Sequence, residues 1–311
     1  MNDKIINIGI VGLGTISKHH INGILNVPKY NIYAVCDMRK EEETVAKELE
    51  CKFYQDYKEM AKDENIDLIL ILTPPLTHYE ISKYMLQHKK HVIVEKPGIV
   101  ENISQLYDLI AVSKENNVSF DVIFHWMYAS ETLYLTKHFE QFGKLLKVEA
   151  NVYDPYTIDG QTIKPGKVDL NGAWNDSGIN VLSMFGNFLD MDKMKLDSER
   201  LLFDDRYNLP IYAKKNFKYG EIDVTITVDW RYNRNHKSSV YYFEQGALFV
   251  DHTAQDLFLN ANRVETFYTE DRLTSHYTNL FTLYTLNDKN HDLTIKLHKL
   301  LLQTRRNILE E

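Results

Sequence analysis

Two glycines and an acid near the N-terminus have the types and spacing to bind a dinucleotide. Gly12 and Gly14 follow the apolar run 5–11, and Asp37 ends the next apolar run, twenty residues after Ser17. Such glycines let backbone N–H groups approach a pyrophosphate at the partly positive start of the following helix, and the acid accepts the ribose hydroxyls. An ordinary glycine turn is the alternative interpretation. The predicted cofactor contacts in this turn are Gly12, Gly14, Thr15 and Ile16.

The residues around Asp37 bear on which dinucleotide is bound. A carboxylate at this position favours NAD, because it repels the 2′-phosphate of NADP. Arg39 and Lys40 follow directly and favour NADP instead. We therefore expect NAD, with NADP as the alternative, and count both Asp37 and Arg39 among the cofactor contacts.

A lysine later in the chain could act on a substrate hydroxyl. Glu95, Lys96 and Pro97 follow an apolar run that predicts a strand. A positively charged nicotinamide ring next to Lys96 would disfavour its ammonium form and lower its pKa. The alternative is a solvated loop lysine. Residues 73–75, Thr-Pro-Pro, end the preceding apolar run and predict the rim of the same crevice.

Composition excludes several classes of function. The chain has 311 residues, 44% of them hydrophobic, and a net charge of -8. This length favours two domains, and the acidic balance argues against nucleic-acid binding. No apolar run is long enough to span a bilayer and no signal segment is seen, so we expect a cytoplasmic protein. The two cysteines and the scattered histidines predict no disulfide and no metal site.

The order of apolar runs predicts an α/β fold with two domains. The first part alternates short apolar runs with helical patterns, which is typical of a doubly wound parallel sheet with helices on both faces. Six strands are expected there, at 5–11, 32–37, 51–54, 68–73, 92–95 and 118–124. We place this dinucleotide-binding Rossmann domain at residues 1–124.

After residue 124 the pattern changes to that of an α+β domain. Apolar and polar residues alternate over 222–231, which predicts a strand with one covered face. With shorter runs at 240–243, 247–250, 257–259 and 264–268 it forms a mainly antiparallel open sheet, with helices at 131–142, 179–189, 276–286 and 293–309. We place the substrate-binding and oligomerisation domain at 125–311.

Taken together, these motifs resemble the glucose-fructose oxidoreductase and inositol dehydrogenase (Gfo/Idh/MocA) family. The glycine turn, the Thr-Pro-Pro turn with His78 nearby and the Glu-Lys-Pro tripeptide occur in the family's order. The later Asp-x-Gly-x-His segment has asparagine in place of histidine: it begins at Asp176 and reaches Asn180. The resemblance implies that Thr73, Pro74, His78, Glu95 and Lys96 also contact the cofactor.

The asparagine makes the chain more similar to one branch of the family, the D-galactose and L-arabinose 1-dehydrogenases. Further similarity covers residues 210–213, 228–231 and the tail from 277 to 306. The resemblance implies that Lys96 and Asp176 line the substrate site, where we assign them as a coupled proton-accepting pair. Asn180 cannot titrate near neutral pH, so we assign it to positioning the sugar within the catalytic group.

Three further residues are candidate substrate contacts. His125 follows the last strand of the first domain, Asp154 ends a strand-like run, and Trp174 could stack on a sugar. A rim histidine and a packing tryptophan are the alternatives for the first and the last. The expected function is hydride transfer from C1 of an aldose to NAD(P). The alternatives are oxidation or reduction of another polyol, and a sensor without turnover. The family suggests a homodimer formed through the sheet face that bears residues 225, 227, 241 and 243.

Overall fold

The computed structural model describes residues 5–286 and 290–304, which divide into two compact units. The first unit holds residues 5–125, 273–286 and 290–295, and the second holds 126–272 and 296–304. The first unit therefore includes a segment from near the end of the chain, which lies beyond the domain boundary predicted after residue 124. The functional division at that residue stays a prediction.

The first unit is built on a six-stranded parallel sheet, as predicted. Its order is β3-β2-β1-β4-β5-β6. The strands are β1 (Ile6–Val11), β2 (Tyr30–Cys36), β3 (Lys52–Tyr54), β4 (Leu68–Ile71), β5 (His91–Glu95) and β6 (Phe120–Ile123). In β1, β4 and β5 the Ile, Val and Leu side chains are almost all buried, because helices cover both faces of the sheet. The strand order reverses between β1 and β4, which is where ligands bind in such sheets.

The α-helices follow the strands of the first unit and frame the sheet of the second. They are α1 (Ser17–Leu25), α2 (Glu43–Glu48), α3 (Tyr57–Met60), α4 (His78–Gln87), α5 (Ile103–Glu115), α6 (Ser130–His138), α7 (Ile179–Phe185), α8 (Arg272–Leu283) and α9 (His291–Leu302). The helix predicted at 131–142 is observed as α6 followed by one 3₁₀ turn. Part of the helix predicted at 293–309 lies outside the described residues, as do Arg305 and Arg306.

Helix α8 packs against α1 within the first unit. Gly23 is the contact residue of α1: a Cβ added there would lie 2.7 Å from Cβ of Tyr277. The ammonium of Lys29 donates to the carbonyl oxygens of Thr282, at 3.1 Å, and Tyr284, at 2.7 Å. This late segment is thus an integral layer of the first unit.

The second unit contains an eight-stranded, mostly antiparallel sheet. Its order is β10-β11-β12-β7-β13-β14-β15-β16, and only β7 and β12 pair in parallel among these strands. The strands are β7 (Leu145–Pro155), β10 (Met194–Phe203), β11 (Pro210–Tyr219), β12 (Ile222–Asp229), β13 (Arg231–Phe243), β14 (Gly246–Asp251), β15 (Asp256–Leu259) and β16 (Asn262–Thr266). A small hairpin of β8 (Thr157–Ile158) and β9 (Thr162–Ile163) follows β7.

One face of this sheet is covered and apolar, as the alternation predicted for β12. Val224 pairs with Val148 of β7, which pairs with Tyr241 of β13, so the three share a face. All three are fully buried. The prediction that Tyr241 and Phe243 share the open face with Thr225 was wrong. A β-bulge between Arg231 and His236 changes the phase of β13, which local alternation cannot reveal.

Candidate active site

The predicted cofactor residues lie at the carboxyl edge of the parallel sheet, after β1, β2 and β4 and at the end of β5. The turn after β1 requires glycine at its first position: Gly12 has φ +98°, and an added Cβ would lie 2.9 Å from backbone atoms of Leu72 and Thr73 after β4. These positions border the point where the strand order reverses. The structure therefore brings the two turns together as the glycine pattern predicts.

Gly14 leaves space for a ligand at the start of α1. An added Cβ there would meet nothing within 4 Å among the described atoms, and Gly14 and Thr15 are exposed. Ile16 is the N-cap residue of α1, and within the described chain no side chain caps this helix end. Backbone N–H groups at such an end suit an anion. These residues fit the pyrophosphate of a dinucleotide.

Asp37 connects the end of β2 to the glycine turn. Its Oδ2 accepts the backbone N–H of Leu13 at 2.9 Å, and its Oδ1 accepts the backbone N–H of Arg39 at 2.9 Å. The Arg39 guanidinium donates a hydrogen bond to each of the two carboxylate oxygens, both at 3.0 Å. Burial acts to raise the pKa of Asp37, but these hydrogen bonds outweigh it and hold the pKa below its ordinary value. Asp37 is therefore an ionised carboxylate beside the turn.

His78 joins two loops at this edge. Its Nε2 lies 2.7 Å from the carbonyl oxygen of Thr73, and its Nδ1 lies 2.8 Å from that of Pro97. Burial lowers the pKa of His78 below its ordinary value. The two carbonyl oxygens act in the opposite direction, because they favour the protonated ring, but burial has the larger effect. The ring is 1% exposed, whereas Pro74 beside it is exposed. On this geometry His78 acts on the rim by holding the Thr73 and Pro97 loops together.

Glu95 holds the backbone of the predicted catalytic lysine. Its Oε2 accepts the N–H of Lys96 at 2.8 Å, while its Oε1 accepts the hydroxyl of Tyr277 at 2.7 Å and lies 2.9 Å from His20 Nε2. Burial would raise the pKa of Glu95, but His20 and its other partners lower it further than burial raises it. The glutamate is thus a buried anion that fixes the loop of Lys96.

His20 and Tyr277 are site-supporting residues that sequence reasoning missed. His20 lies on α1 and Tyr277 on α8, and both are fully buried. Their rings are 3.7 Å apart between centroids. Only the adjacency of Glu95 to Lys96 could have signalled such a network. His125, one of the predicted substrate contacts, is 6% exposed, with its ring 5.6 Å from that of Tyr277.

In the second unit, Asp176 and Asn180 lie at the start of α7. Asp176 belongs to a π-helical turn, Trp174–Gly178, a feature that is frequent at functional sites. Nδ2 of Asn180 donates to the backbone carbonyl of Asp176 at 3.1 Å. Oδ1 of Asn180 is buried and has no hydrogen-bond partner among the described residues. This amide oxygen is therefore an acceptor available to a ligand hydroxyl.

Asp154 forms an ion pair that sequence reasoning did not find. Lys237 of β13 donates to its Oδ1 at 2.6 Å, and the Ser177 hydroxyl lies 3.4 Å from its Oδ2. The two charged side chains are 4% and 13% exposed. No local signal marks Lys237, because the preceding residues 231–236 read as a polar edge.

Trp174 is packed inside the second unit. Its Nε1 donates to the carbonyl of Leu301 at 3.0 Å, and an added Cβ on Gly178 would lie 2.6 Å from its ring. The Lys215 ammonium lies 4.6 Å from the ring centroid. Trp174 is 4% exposed. Its burial and these contacts favour the packing alternative over sugar stacking.

A second polar cluster in this unit is enclosed. Ser239 Oγ lies 2.9 Å from His252 Nε2, and His252 Nδ1 lies 3.0 Å from Glu131 Oε1. The order of groups is that of a hydrolase triad, but none is more than 1% exposed, so a substrate cannot reach the hydroxyl. Over the described ranges, no group of three or more acids, histidines or cysteines could hold a metal ion, and no helix could cross a membrane.

Comparisons with known proteins point to one family. Residues 6–124 match the GFO_IDH_MocA profile, described as an oxidoreductase family with an NAD-binding Rossmann fold. An uncharacterized oxidoreductase, YrbE of Bacillus subtilis, is 23% identical over 86% of this chain and 72% of its own length. Myo-inositol 2-dehydrogenase of Thermotoga maritima is 24% identical over 86% of this chain and 74% of its own length.

Solved structures share the fold over nearly the whole chain. KijD10, a 3-ketoreductase from Actinomadura kijaniata in complex with NADP and TDP-benzene, aligns with a TM-score of 0.82 at 14% identity, covering 97% of both chains. The WlbA dehydrogenase from Bordetella pertussis, in complex with NADH and UDP-GlcNAcA, aligns with a TM-score of 0.79 at 17% identity, covering 100% of this chain and 97% of that one. Residues 6–124 thus match the NAD-binding Rossmann domain of the GFO_IDH_MocA oxidoreductases, and the chain is an NAD(P)-binding oxidoreductase that is similar over 86% of its length to YrbE and to myo-inositol 2-dehydrogenase.

Proposed function

We propose that the protein oxidises the anomeric carbon of an unphosphorylated aldose, such as galactose, to a lactone. The observation that carries this proposal is the pair at the start of α7, in which Asn180 takes the place of a titratable histidine. Its buried Oδ1 has no partner among the described residues, and its Nδ2 is held by Asp176. An amide there orients a sugar hydroxyl without exchanging a proton.

The reaction removes a hydride from C1 and a proton from its hydroxyl. Bound NAD(P) supplies the hydride acceptor. Lys96 and Asp176 act as the coupled proton-accepting pair, and Asn180 orients the ring. Glu95 supports Lys96 through the backbone N–H at 2.8 Å. Asp154 and His125 remain candidate sugar contacts of this proposal. Holding the reacting groups in place accounts for a large part of the acceleration in such reactions.

A cyclic polyol is the second candidate substrate. Its support is the relative named myo-inositol 2-dehydrogenase, which aligns over 86% of this chain. A sensor that binds sugar without turnover is the third reading. Lys96 and Asp176 are both present, which favours turnover. We also propose a homodimer formed through the open face of the eight-stranded sheet, in the cytoplasm.

A substrate panel tests the proposed function. The purified protein is incubated with NAD or NADP and with galactose, arabinose, glucose, myo-inositol or scyllo-inositol, and the absorbance of reduced cofactor is followed. The proposal expects the highest kcat/KM with an aldose and detection of a lactone. If only the inositols are oxidised, the substrate is a cyclic polyol and the aldose proposal is wrong. Tight sugar binding in calorimetry without any cofactor reduction would support a sensor.

A further inference from the structure

The segment that carries Asp176 has an uncommon backbone. Residues Trp174–Gly178 form a π-helical turn directly before α7, the one such turn in the described part of the chain. A π-turn closes its hydrogen bonds over five residues instead of the four of an α-helix, and it is rare. Because the chain by itself favours the α-helix, contacts with the rest of the unit must hold this turn in its geometry.

The indole of Trp174 lies against the other end of the turn. A Cβ added to Gly178 would lie 2.6 Å from Cε3 and 2.7 Å from Cδ2 of the ring. The backbone of Gly178 has φ −63° and ψ −40°, which any residue can adopt, so its conformation does not require glycine. The space that the ring occupies requires glycine instead. Trp174 and Gly178 are thus packed on each other across the turn.

The ring is held from outside the turn at the end of α9. Nε1 of Trp174 donates to the carbonyl of Leu301 at 3.0 Å. Leu301 lies in the last turn of α9, whose carbonyl groups have no partner within the helix. The Lys215 ammonium lies 4.6 Å from the ring centroid and donates to the carbonyl of Gln303 at 2.7 Å. A hydrogen bond at the ring edge and a cation over its face therefore fix the indole in two directions.

Both polar groups assigned to the substrate depend on this turn. Asp176 lies at its centre, and Asn180 comes two residues after Gly178. Nδ2 of Asn180 donates to the Asp176 carbonyl at 3.1 Å, while its buried Oδ1 has no partner among the described residues and so suits a ligand hydroxyl. If the turn relaxed to an α-helix, the chain on its two sides would shift by one residue, and these groups would leave their places.

We propose that Trp174 is a positioning residue of the substrate site: it holds the π-helical turn against the end of α9, so that Asp176 and Asn180 keep the places from which they contact the substrate. The inference rests on the proposed function for the roles of those two residues. Trp174 itself, with 4% exposure, does not touch the sugar. Its effect on the rate comes through placement, since a misplacement of about 1 Å can cost about 10²-fold.

The contact between the ring and the turn is tested first by a double-mutant cycle in the free energy of unfolding, which does not need activity. Gly178→Ala lowers that free energy, because the methyl group and the ring cannot share the present space. Trp174→Leu lowers it as well. The double variant loses less than the sum, because the methyl group then meets a smaller side chain. Additive losses would overturn the contact on which the inference depends.

The effect on the site is tested by the kinetics of Trp174→Phe with the substrate found in the panel. Phenylalanine keeps a buried ring but cannot donate to the Leu301 carbonyl. We expect kcat/KM for the sugar to fall up to about 10²-fold. KM for the cofactor, whose predicted contacts lie in the first unit, should keep its wild-type value. Gly178→Ala displaces the ring without removing it and should show the same pattern.

Phe243→Leu is the matched control. Phe243 is a buried aromatic residue of the same unit, and it pairs with Leu145 at the start of β7, outside the assigned site. This variant should lower Tm but leave kcat/KM unchanged when assayed well below that Tm. If Trp174→Phe and Phe243→Leu lose activity only in proportion to their loss of Tm, or if Trp174→Phe keeps a normal kcat/KM, Trp174 serves packing alone and the proposal is wrong.

The two proposals can fail separately. If the wild-type protein turns over no sugar or polyol, the proposed function fails, and the place of Asn180 is observed instead. NMR of protein labelled with ¹⁵N-asparagine, with the side-chain amide signal of Asn180 identified through Asn180→Ala, reports its hydrogen bond to the Asp176 carbonyl. Trp174→Phe should shift that signal, and Phe243→Leu should not. An unshifted signal in Trp174→Phe would overturn the inference about Trp174.

Discussion

Arg39 binds Asp37 with two nitrogens, each 3.0 Å from a different carboxylate oxygen. This bidentate pair lies at the predicted ribose contact, and it combines the group that favours NAD with the one that favours NADP. We expect the wild-type protein to prefer NAD. In Asp37→Ser the repulsion is lost and the guanidinium is released, so KM for NADP falls about tenfold, equivalent to about 1.4 kcal/mol.

The control for this change is Glu42→Gln. Glu42 also contacts Arg39, at 2.9 Å, but is not placed in the ribose site. Its ratio of KM values for the two cofactors should match that of the wild type. A wild-type protein that already prefers NADP tenfold would contradict the expectation.

Substitutions of the two glycines in the turn after β1 should have different effects, one on cofactor binding and the other on stability. Gly14→Ala should raise KM for the cofactor about tenfold, about 1.4 kcal/mol, because the added methyl group enters the space meant for the pyrophosphate, while Tm stays the same. Gly12→Ala should lower the free energy of unfolding by about 1–3 kcal/mol, because its φ of +98° strains any other residue. Equal losses of Tm in both variants, followed by calorimetry, would be evidence against this division.

Lys96→Met tests the assigned proton acceptor. Since general acid–base groups contribute about 10²–10⁴-fold, kcat should fall by at least about two orders of magnitude. Cofactor binding, followed by fluorescence, should persist. The exposed lysine Lys47 on α2, changed to Met, provides the matched control with normal kcat. A near-normal kcat in Lys96→Met would remove the lysine from the mechanism.

Asn180→Ala should mainly raise KM for the sugar, by about tenfold, because one hydrogen bond to the substrate is lost. Asn175→Ala is the matched control, since the Asn175 amide donates to the nearby Asn171 carbonyl at 2.9 Å and lies outside the assigned site. Steady-state kinetics at several sugar concentrations separates the two constants. A large fall in kcat at constant KM would instead place Asn180 in the transition state.

Tyr277→Phe should weaken the first unit and change its response to acid. The pKa of Glu95 is held below its ordinary 4.5. Its stabilising contribution is therefore complete above pH 4.5 and is lost as the pH falls through the lower, folded-state value. Removing the Tyr277 hydroxyl raises that value, so the acid loss of Tm moves to higher pH. At neutral pH the cost is about 1.5–3 kcal/mol.

Tyr107→Phe is the control, because Tyr107 lies on α5 of the same unit with 44% exposure. Its Tm should follow the wild-type curve from pH 7 to pH 4. Identical pH curves for Tyr277→Phe and the wild type would show that the hydroxyl does not stabilise the Glu95 carboxylate.

The sequence predicted the parallel sheet well, because its strands are apolar runs ended by glycine, proline or acid residues. It missed β10 and β11, whose lysines and arginines hide the alternation. It named Asp154 as a candidate substrate contact but missed its partner Lys237, since the β-bulge before His236 sets which way that lysine faces. Pairings between distant residues, such as His20 with Glu95, depend on tertiary packing and have no local pattern.

The late origin of Tyr277 has a consequence for synthesis of the protein. During translation the six parallel strands leave the ribosome long before α8, which supplies the hydroxyl to Glu95 and the layer against Gly23. The nucleotide-binding unit therefore completes its native packing only after the sheet of the second unit has been synthesised. Until then the face of α1 that bears Gly23 is not covered by α8.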